Sequence, residues 1–203
     1  MNLRATCARG ARAKFTVGWW QERFDRILYL AGLRVSDMFE IVLFEPEIPP
    51  NTGNIMRLCA NAGCRLHLVR PLGFSLSDKQ LERAGMDYRS GIEYSLHDDW
   101  EHCRQTLATR RIYTVTTKGL QRHDQVRYQA GDVFVFGPET RGLPLRVRSQ
   151  SAAQLRLPML PGSRSLNLAN AVAIVIYEAW RQLDFAGAHL SPDPSPPGGE
   201  GSR

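Results

Sequence analysis

Phe39-Glu-Ile-Val-Leu-Phe44 runs directly into Glu45-Pro-Glu-Ile-Pro-Pro-Asn-Thr-Gly-Asn-Ile-Met-Arg57, and this passage decides the fold class. The first six residues are apolar and branched enough to read as a strand buried on both faces. Pro49-Pro50 then fixes an extended approach, Asn51 stands where a helix would be capped, and the helix it opens, Asn51–Ala62, is closed by Gly63 just past its end. The alternation continues downstream. Strands are expected over Arg65–Val69, Arg111–Thr116, Asp132–Phe136 and Gln154–Leu157, and helices over Asp78–Ala84, Asp98–Leu107 and Leu166–Leu183. Parallel neighbours require long crossovers, so strands alternating with helices predict an α/β domain with a parallel sheet. Ligands of such sheets sit outside the carboxyl ends of the strands, which directs attention to the loops there.

The rest of the chain narrows the function classes. Its 203 residues suit one ordinary domain, and 43% hydrophobic with 23% charged residues excludes wholesale disorder or a fibrous repeat. No apolar run is long enough to span a membrane, since the best candidate, Ala171–Trp180, contains Glu178. Cys7, Cys59, Cys64 and Cys103 show neither a paired zinc spacing nor the density of a disulfide scaffold, so reduced thiols in a cytoplasmic protein are expected and no metal site is implied. The net charge of +6 is compatible with a polyanionic partner. Seven Lys/Arg fall in residues 1–37 against Glu22, Asp25 and Asp37; this segment is read as a non-core extension ahead of a start at Met38, in preference to a transit-like segment. Residues 185–203, rich in Pro, Gly and Ser, are expected to form a disordered tail, leaving 38–184 as the domain.

Three loop segments carry the unusual chemistry. In the first, Gly53 permits close backbone approach, and Asn54 and Arg57, three apart, project from one helical face. The second, Phe136-Gly-Pro-Glu-Thr-Arg-Gly-Leu-Pro144, makes a rigid bent loop after a strand; it is neither a GxGxxG fingerprint nor a GxxxxGK[ST] phosphate loop, so neither a nicotinamide cofactor nor ATP follows. In the third, Pro161–Trp180, Ser165 is the expected helix cap, and Asn167 and Asn170 lead an otherwise apolar helix, which suggests local hydrogen-bonding duty.

These three segments, in this order, resemble the motifs of the knotted SPOUT superfamily of RNA methyltransferases, in its ribose 2′-O branch. The likeness extends over about 38–184. Met38-Phe-Glu-Ile-Val-Leu-Phe-Glu-Pro-Glu-Ile-Pro-Pro-Asn-Thr-Gly-Asn-Ile55, Arg83-Ala-Gly-Met-Asp-Tyr88, Thr116-Thr-Lys-Gly119 and Tyr177-Glu-Ala-Trp-Arg-Gln-Leu183 resemble the small bacterial members that methylate the tRNA wobble ribose. The resemblance implies a Rossmann-like parallel sheet with a C-terminal trefoil knot, which periodicity alone would argue against. It implies S-adenosylmethionine as methyl donor, lined by Val115, Gly137, Leu157, Ser165 and Leu166. Arg57, Asn54, Ser165, Asn167 and Tyr177 are the implied catalytic residues; Glu139 is expected to organise its loop or Arg141. Val115 and Leu157 would give apolar walls, and Gly137 would let main-chain groups reach the ligand. The implied reaction is 2′-O-methylation of nucleotide 34, cytidine or modified uridine, in leucine tRNAs, by a homodimer that engages the anticodon stem-loop. Action at another tRNA position or on ribosomal RNA, or a non-catalytic RNA-binding module, are the alternatives.

The remaining polar residues read as structural. His67 alternates within a strand, while His97 and His102 are expected near an exposed helix. Cys59 and Cys64 are expected to fill core space. Asp98-Asp99-Glu101 reads as a helix N-terminal charge preference, and the scattered arginines, Arg141, Arg146, Arg148 and Arg164 among them, contact RNA only if the fold gathers them.

Overall fold

A computed structural model describes residues 38–76 and 94–188. The extension 1–37, the expected helix Asp78–Ala84 with the Arg83–Tyr88 motif, and residues 189–203 of the expected tail lie outside the described residues. The strands are β1 (Phe39–Phe44), β2 (Cys64–Val69), β3 (Tyr94–His97), β4 (Ile112–Val115), β5 (Gln121–Arg122), β6 (Asp132–Phe136) and β7 (Ala153–Arg156). The helices are α1 (Pro49–Ala62), α2 (Trp100–Thr106), α3 (Leu145–Arg148) and α4 (Leu168–Gln182). All seven described strands join one parallel sheet in the order β3-β2-β1-β6-β4-β7-β5. The five expected strands are therefore present within a residue or two at each end.

Two helix starts differ from expectation, each for a local reason. Proline lacks an N–H, which costs nothing in the first helical turn, so Pro49 and Pro50 occupy the first positions of α1 and Ile48 is its cap. Asn51 is thereby inside the helix and buried, not its cap. At α4, Asn167 and not Ser165 is the cap, its Oδ1 accepting from the N–H groups of Ala169 (2.9 Å) and Asn170 (3.4 Å). Gly63 ends α1 as expected, with φ 63° and its N–H donating to the Cys59 carbonyl. Strands β3 and β5 were not expected; both are short edge strands without an apolar run to betray them.

Side chains alternate across β1 and so build a core on each face of the sheet. Phe39, Ile41 and Leu43 pack with Ile55, Met56 and Cys59 of α1 and Val172, Val175 and Ile176 of α4. Val42 and Phe44 face the other way, against Trp100, Cys103 and Leu107. Full burial stabilises each such side chain by about 1.5–3 kcal/mol, which clamps α1 and α4 side by side on one face. Residues 184–188, most of them in the expected tail, turn back onto this core: Trp180 Nε1 donates to the Ala186 carbonyl at 2.9 Å. The consequence for function is positional. Strands β6, β4 and β7 end side by side, so the loops that leave them meet.

Candidate active site

Those three loops enclose a cavity of about 470 Å³ at the carboxyl ends of β4, β6 and β7. Val115, Gly137, Leu157, Ser165 and Leu166, expected from sequence to line a cofactor site, all line it, as does Asn167. Val115, Leu157 and Leu166 give the cavity apolar lining, and the loop 137–143 lines it as well. A Cβ on Gly137 would meet the Leu143 nitrogen at 2.5 Å and the Gly142 carbonyl carbon at 2.7 Å. The return of the loop's own backbone is thus enough to require glycine here.

A hydrogen-bonded lace fixes the three segments to one another. The Asn167 Oδ1 is spent on capping α4, so its Nδ2 donates to Asn51 Oδ1 at 2.9 Å. Asn51 Nδ2 in turn donates to Glu139 Oε1 at 2.9 Å, and Glu139 Oε2 accepts from the Glu47 N–H at 3.0 Å. Each amide is oriented by its neighbour, and the chain of bonds has only one consistent direction. Sequence reasoning passed over Asn51 as a cap; its companion signal was Glu139, which ties its loop to the first loop and to α1. Arg141, however, pairs with Glu45 and Glu47 rather than with Glu139. The Glu47 carboxylate also accepts from the Thr140 N–H at 3.0 Å and hydroxyl at 2.9 Å, tying the first loop to the second.

The other expected catalytic residues stand elsewhere. Asn54 and Arg57 are exposed on the outer side of α1 and do not line the cavity; Arg57 has no ion pair among the described residues. Tyr177 of α4 is 46% exposed, its ring edge-on to Trp180 at 5.7 Å, and it too is outside the cavity. One chain therefore assembles the pocket group but not the Arg57 group around it. His97, expected near an exposed helix, is buried in β3, because that unexpected edge strand takes it under α2. Asp99 caps α2, accepting from the His102 N–H at 2.8 Å, as its acidic cluster foretold.

A parallel sheet whose carboxyl-end loops frame such a pocket, carrying these motifs in this order, defines a methyltransferase of the SPOUT class. The chain belongs to the SpoU rRNA Methylase family, whose profile matches residues 38–177. It is 62% identical over 153 residues to a tRNA (cytidine(34)-2′-O)-methyltransferase of Methylovorus glucosotrophus, covering 74% of this chain and 99% of that one. The corresponding Escherichia coli K12 enzyme is 52% identical over 155 residues, covering 75% and 99%. A solved structure described as "Structural insights into the 2-OH methylation of C/U34 on tRNA" superposes with a TM-score of 0.71 at 42% identity, covering 74% of this chain and 99% of that chain.

Proposed function

We propose that this protein transfers a methyl group from S-adenosylmethionine to the ribose 2′-hydroxyl of nucleotide 34, cytidine or modified uridine, in leucine tRNAs. The observation that carries the reading is the cavity itself: every residue expected to hold the donor lines it, on a chain 62% identical to a tRNA (cytidine(34)-2′-O)-methyltransferase. Its volume of about 470 Å³ and its mix of apolar wall and exposed main-chain groups suit a nucleoside joined to an amino acid. When bound, the donor supplies a methyl group already activated on a sulfonium. The chain's own task is to hold that group in line with the ribose oxygen and to manage the oxygen's proton. Val115 and Leu157 wall the site, Ser165 and Leu166 rim it, and Asn167 is held in place through Asn51 and Glu139.

Arg57 is assigned the developing charge on that oxygen or the adjacent phosphate; a guanidinium stays protonated, so stabilising an oxyanion suits it better than abstracting a proton. Because Arg57, Asn54 and Tyr177 lie outside the cavity of their own chain, the working unit is a homodimer in which they reach the partner's pocket. Exposed Ile174 and Tyr177, three apart on α4, give that interface its apolar contact. The last segment of the fold is assigned a trefoil knot, with 38–184 as the functional domain. A chain starting at Met38 should keep donor binding and dimerisation in calorimetry and light scattering. No described helix is long and apolar enough to cross a membrane, and cytoplasmic action follows from the tRNA substrate.

The decisive assay supplies purified protein with labelled donor and an anticodon stem-loop of leucine tRNA. Label should enter at position 34. Transfer that persists when that nucleotide carries 2′-deoxyribose would refute the reaction.

A further inference from the structure

At the β2–β3 end of the sheet, away from the pocket, Glu40 of β1, His67 of β2, His97 of β3 and Cys103 of α2 converge, and all four are buried. Glu40 Oε2 lies 2.7 Å from His67 Nε2, and Oε1 lies 3.1 Å from Arg110 Nη2. A carboxylate beside Arg110 only accepts, so His67 carries its proton on Nε2 and presents a lone pair at Nδ1. That lone pair faces His97 Nε2 at 2.9 Å. The second nitrogen of the His97 ring, Nδ1, is buried and has no hydrogen-bond partner among the described residues. The Cys103 thiol, fully buried, completes the group: one donor atom from each of His67, His97 and Cys103 lies within 4.8 Å of the other two.

We propose that His67, His97 and Cys103 hold one zinc-class divalent cation, with Glu40 as the outer carboxylate that orients His67. Two imidazoles and a thiolate are a borderline-to-soft donor set, which selects zinc, cobalt or a similar ion over magnesium or calcium. The carboxylate–imidazole pairing fixes the tautomer that a ligating histidine needs. Two nitrogens each about 2.0 Å from a tetrahedral ion sit roughly 3.3 Å apart, so the imidazoles need to part by only a few tenths of an ångström. Binding releases the thiol proton to solvent and moves the His97 proton from Nε2 to Nδ1, so that Nε2 can ligate, and the ion's charge is met by the thiolate and by Glu40. A cavity of about 520 Å³ lined by Glu40, Arg65, His67 and Arg110, among others, gives the ion a way in. The ion would staple α2 and the edge strand β3 to β2. The lack of a short cysteine spacing, which argued against a metal from sequence, loses its force once three separate elements bring the donors together.

The test uses the full chain, dialysed against a chelator and titrated with Co²⁺ while its absorbance is recorded. One equivalent should bind, with visible bands of tetrahedral intensity and a near-ultraviolet thiolate-to-cobalt band, and Zn²⁺ should displace it. Cys103→Ser should abolish the thiolate band and weaken Co²⁺ binding at least a hundredfold, beyond the roughly 10–100-fold that loss of an outer-shell partner costs. Cys59→Ser, altered in the opposite core, should keep the band. Should Cys103→Ser fail to fold, the unaltered protein still decides: ring-nitrogen shifts of His67 and His97 must move on adding Zn²⁺. No stoichiometric Co²⁺ binding at micromolar protein, a thiolate band that survives Cys103→Ser, or unmoved His67 and His97 would each overturn the site.

Discussion

Arg57→Ala separates chemistry from folding and from donor binding in one substitution. The side chain is exposed and has no ion pair among the described residues, so its removal strands no buried partner. A surface change of that kind alters stability by only about 0.5 kcal/mol either way, and alanine is at least as good a helix former. Donor affinity should be spared, because the residues assigned to the donor, Val115, Gly137, Leu157, Ser165 and Leu166, are unchanged. Methyl transfer should fall by roughly 3 kcal/mol of transition-state stabilisation, or about a hundredfold, by analogy with loss of one oxyanion donor. Arg57→Lys should recover little, since an ammonium cannot reproduce a planar two-pronged contact. Position adds a sharper test. Gly137→Val blocks the pocket through the return of the 142–143 backbone, and co-expression with Arg57→Ala yields mixed dimers. If Arg57 serves the partner's pocket, random pairing restores roughly a quarter of wild-type transfer, although each variant alone is nearly inactive. The assay is single-turnover transfer to tRNA, with calorimetry for the donor. Mixed dimers as inactive as their parents would refute the cross-subunit assignment, and near-normal transfer by Arg57→Ala would remove the residue from the mechanism.

Asn51→Ala should leave both Glu139 and Asn167 short of a partner and loosen the pocket, weakening donor binding by about 1–2 kcal/mol, or roughly tenfold, in calorimetry; unchanged affinity would mean that the lace does not shape the site. Gly119→Ala should destabilise the fold by over about 2 kcal/mol in urea denaturation, because its Cβ would fall 2.5 Å from the Leu155 carbonyl. Burial raises the Cys59 thiol well above its usual range and pushes Cys64 up to about 12, with Tyr113 and Tyr128 also raised by burial. The unfolded chain therefore loses these protons first. These groups add no pH dependence below about pH 9 and should make stability decline as pH rises above it, as urea midpoints at successive pH values would show.

The sheet was legible because its central strands are apolar throughout and punctuated by helices of fixed length. Phe39–Phe44 and Asp132–Phe136 could hardly be anything else. What escaped was what tertiary contact alone decides. Tyr94–His97 has no run of buried residues, since an edge strand has a neighbour on one side only. Asn51 looks like a cap to any local rule; only the preceding proline pair, which moves the helix start, and Glu139, 88 residues away, make it an inward-facing amide. The lining of the pocket was foreseen through resemblance, as no spacing rule connects Val115 with Leu157. Asn54 and Arg57, read as projecting from one helical face, are both exposed on α1, yet no local spacing rule says where that face lies relative to the cavity.

The order in which the pocket is built has a consequence for the nascent chain. Apart from Ile48 and Asn51, every residue lining the cavity lies at or beyond Val115, and the last of them, Ala171, is in α4. Strands β1, β2 and β3 adjoin one another at one end of the sheet and leave the ribosome first, so they can pair while the remainder is still being made. Strand β6 must then insert beside β1, and α4 must dock against α1, before Asn167 finds Asn51. Half-finished chains thus have strands that can pair but no cavity. A ligand of this pocket can bind only chains synthesised through α4, which makes it a selective stabiliser of completed molecules and no aid to those still emerging.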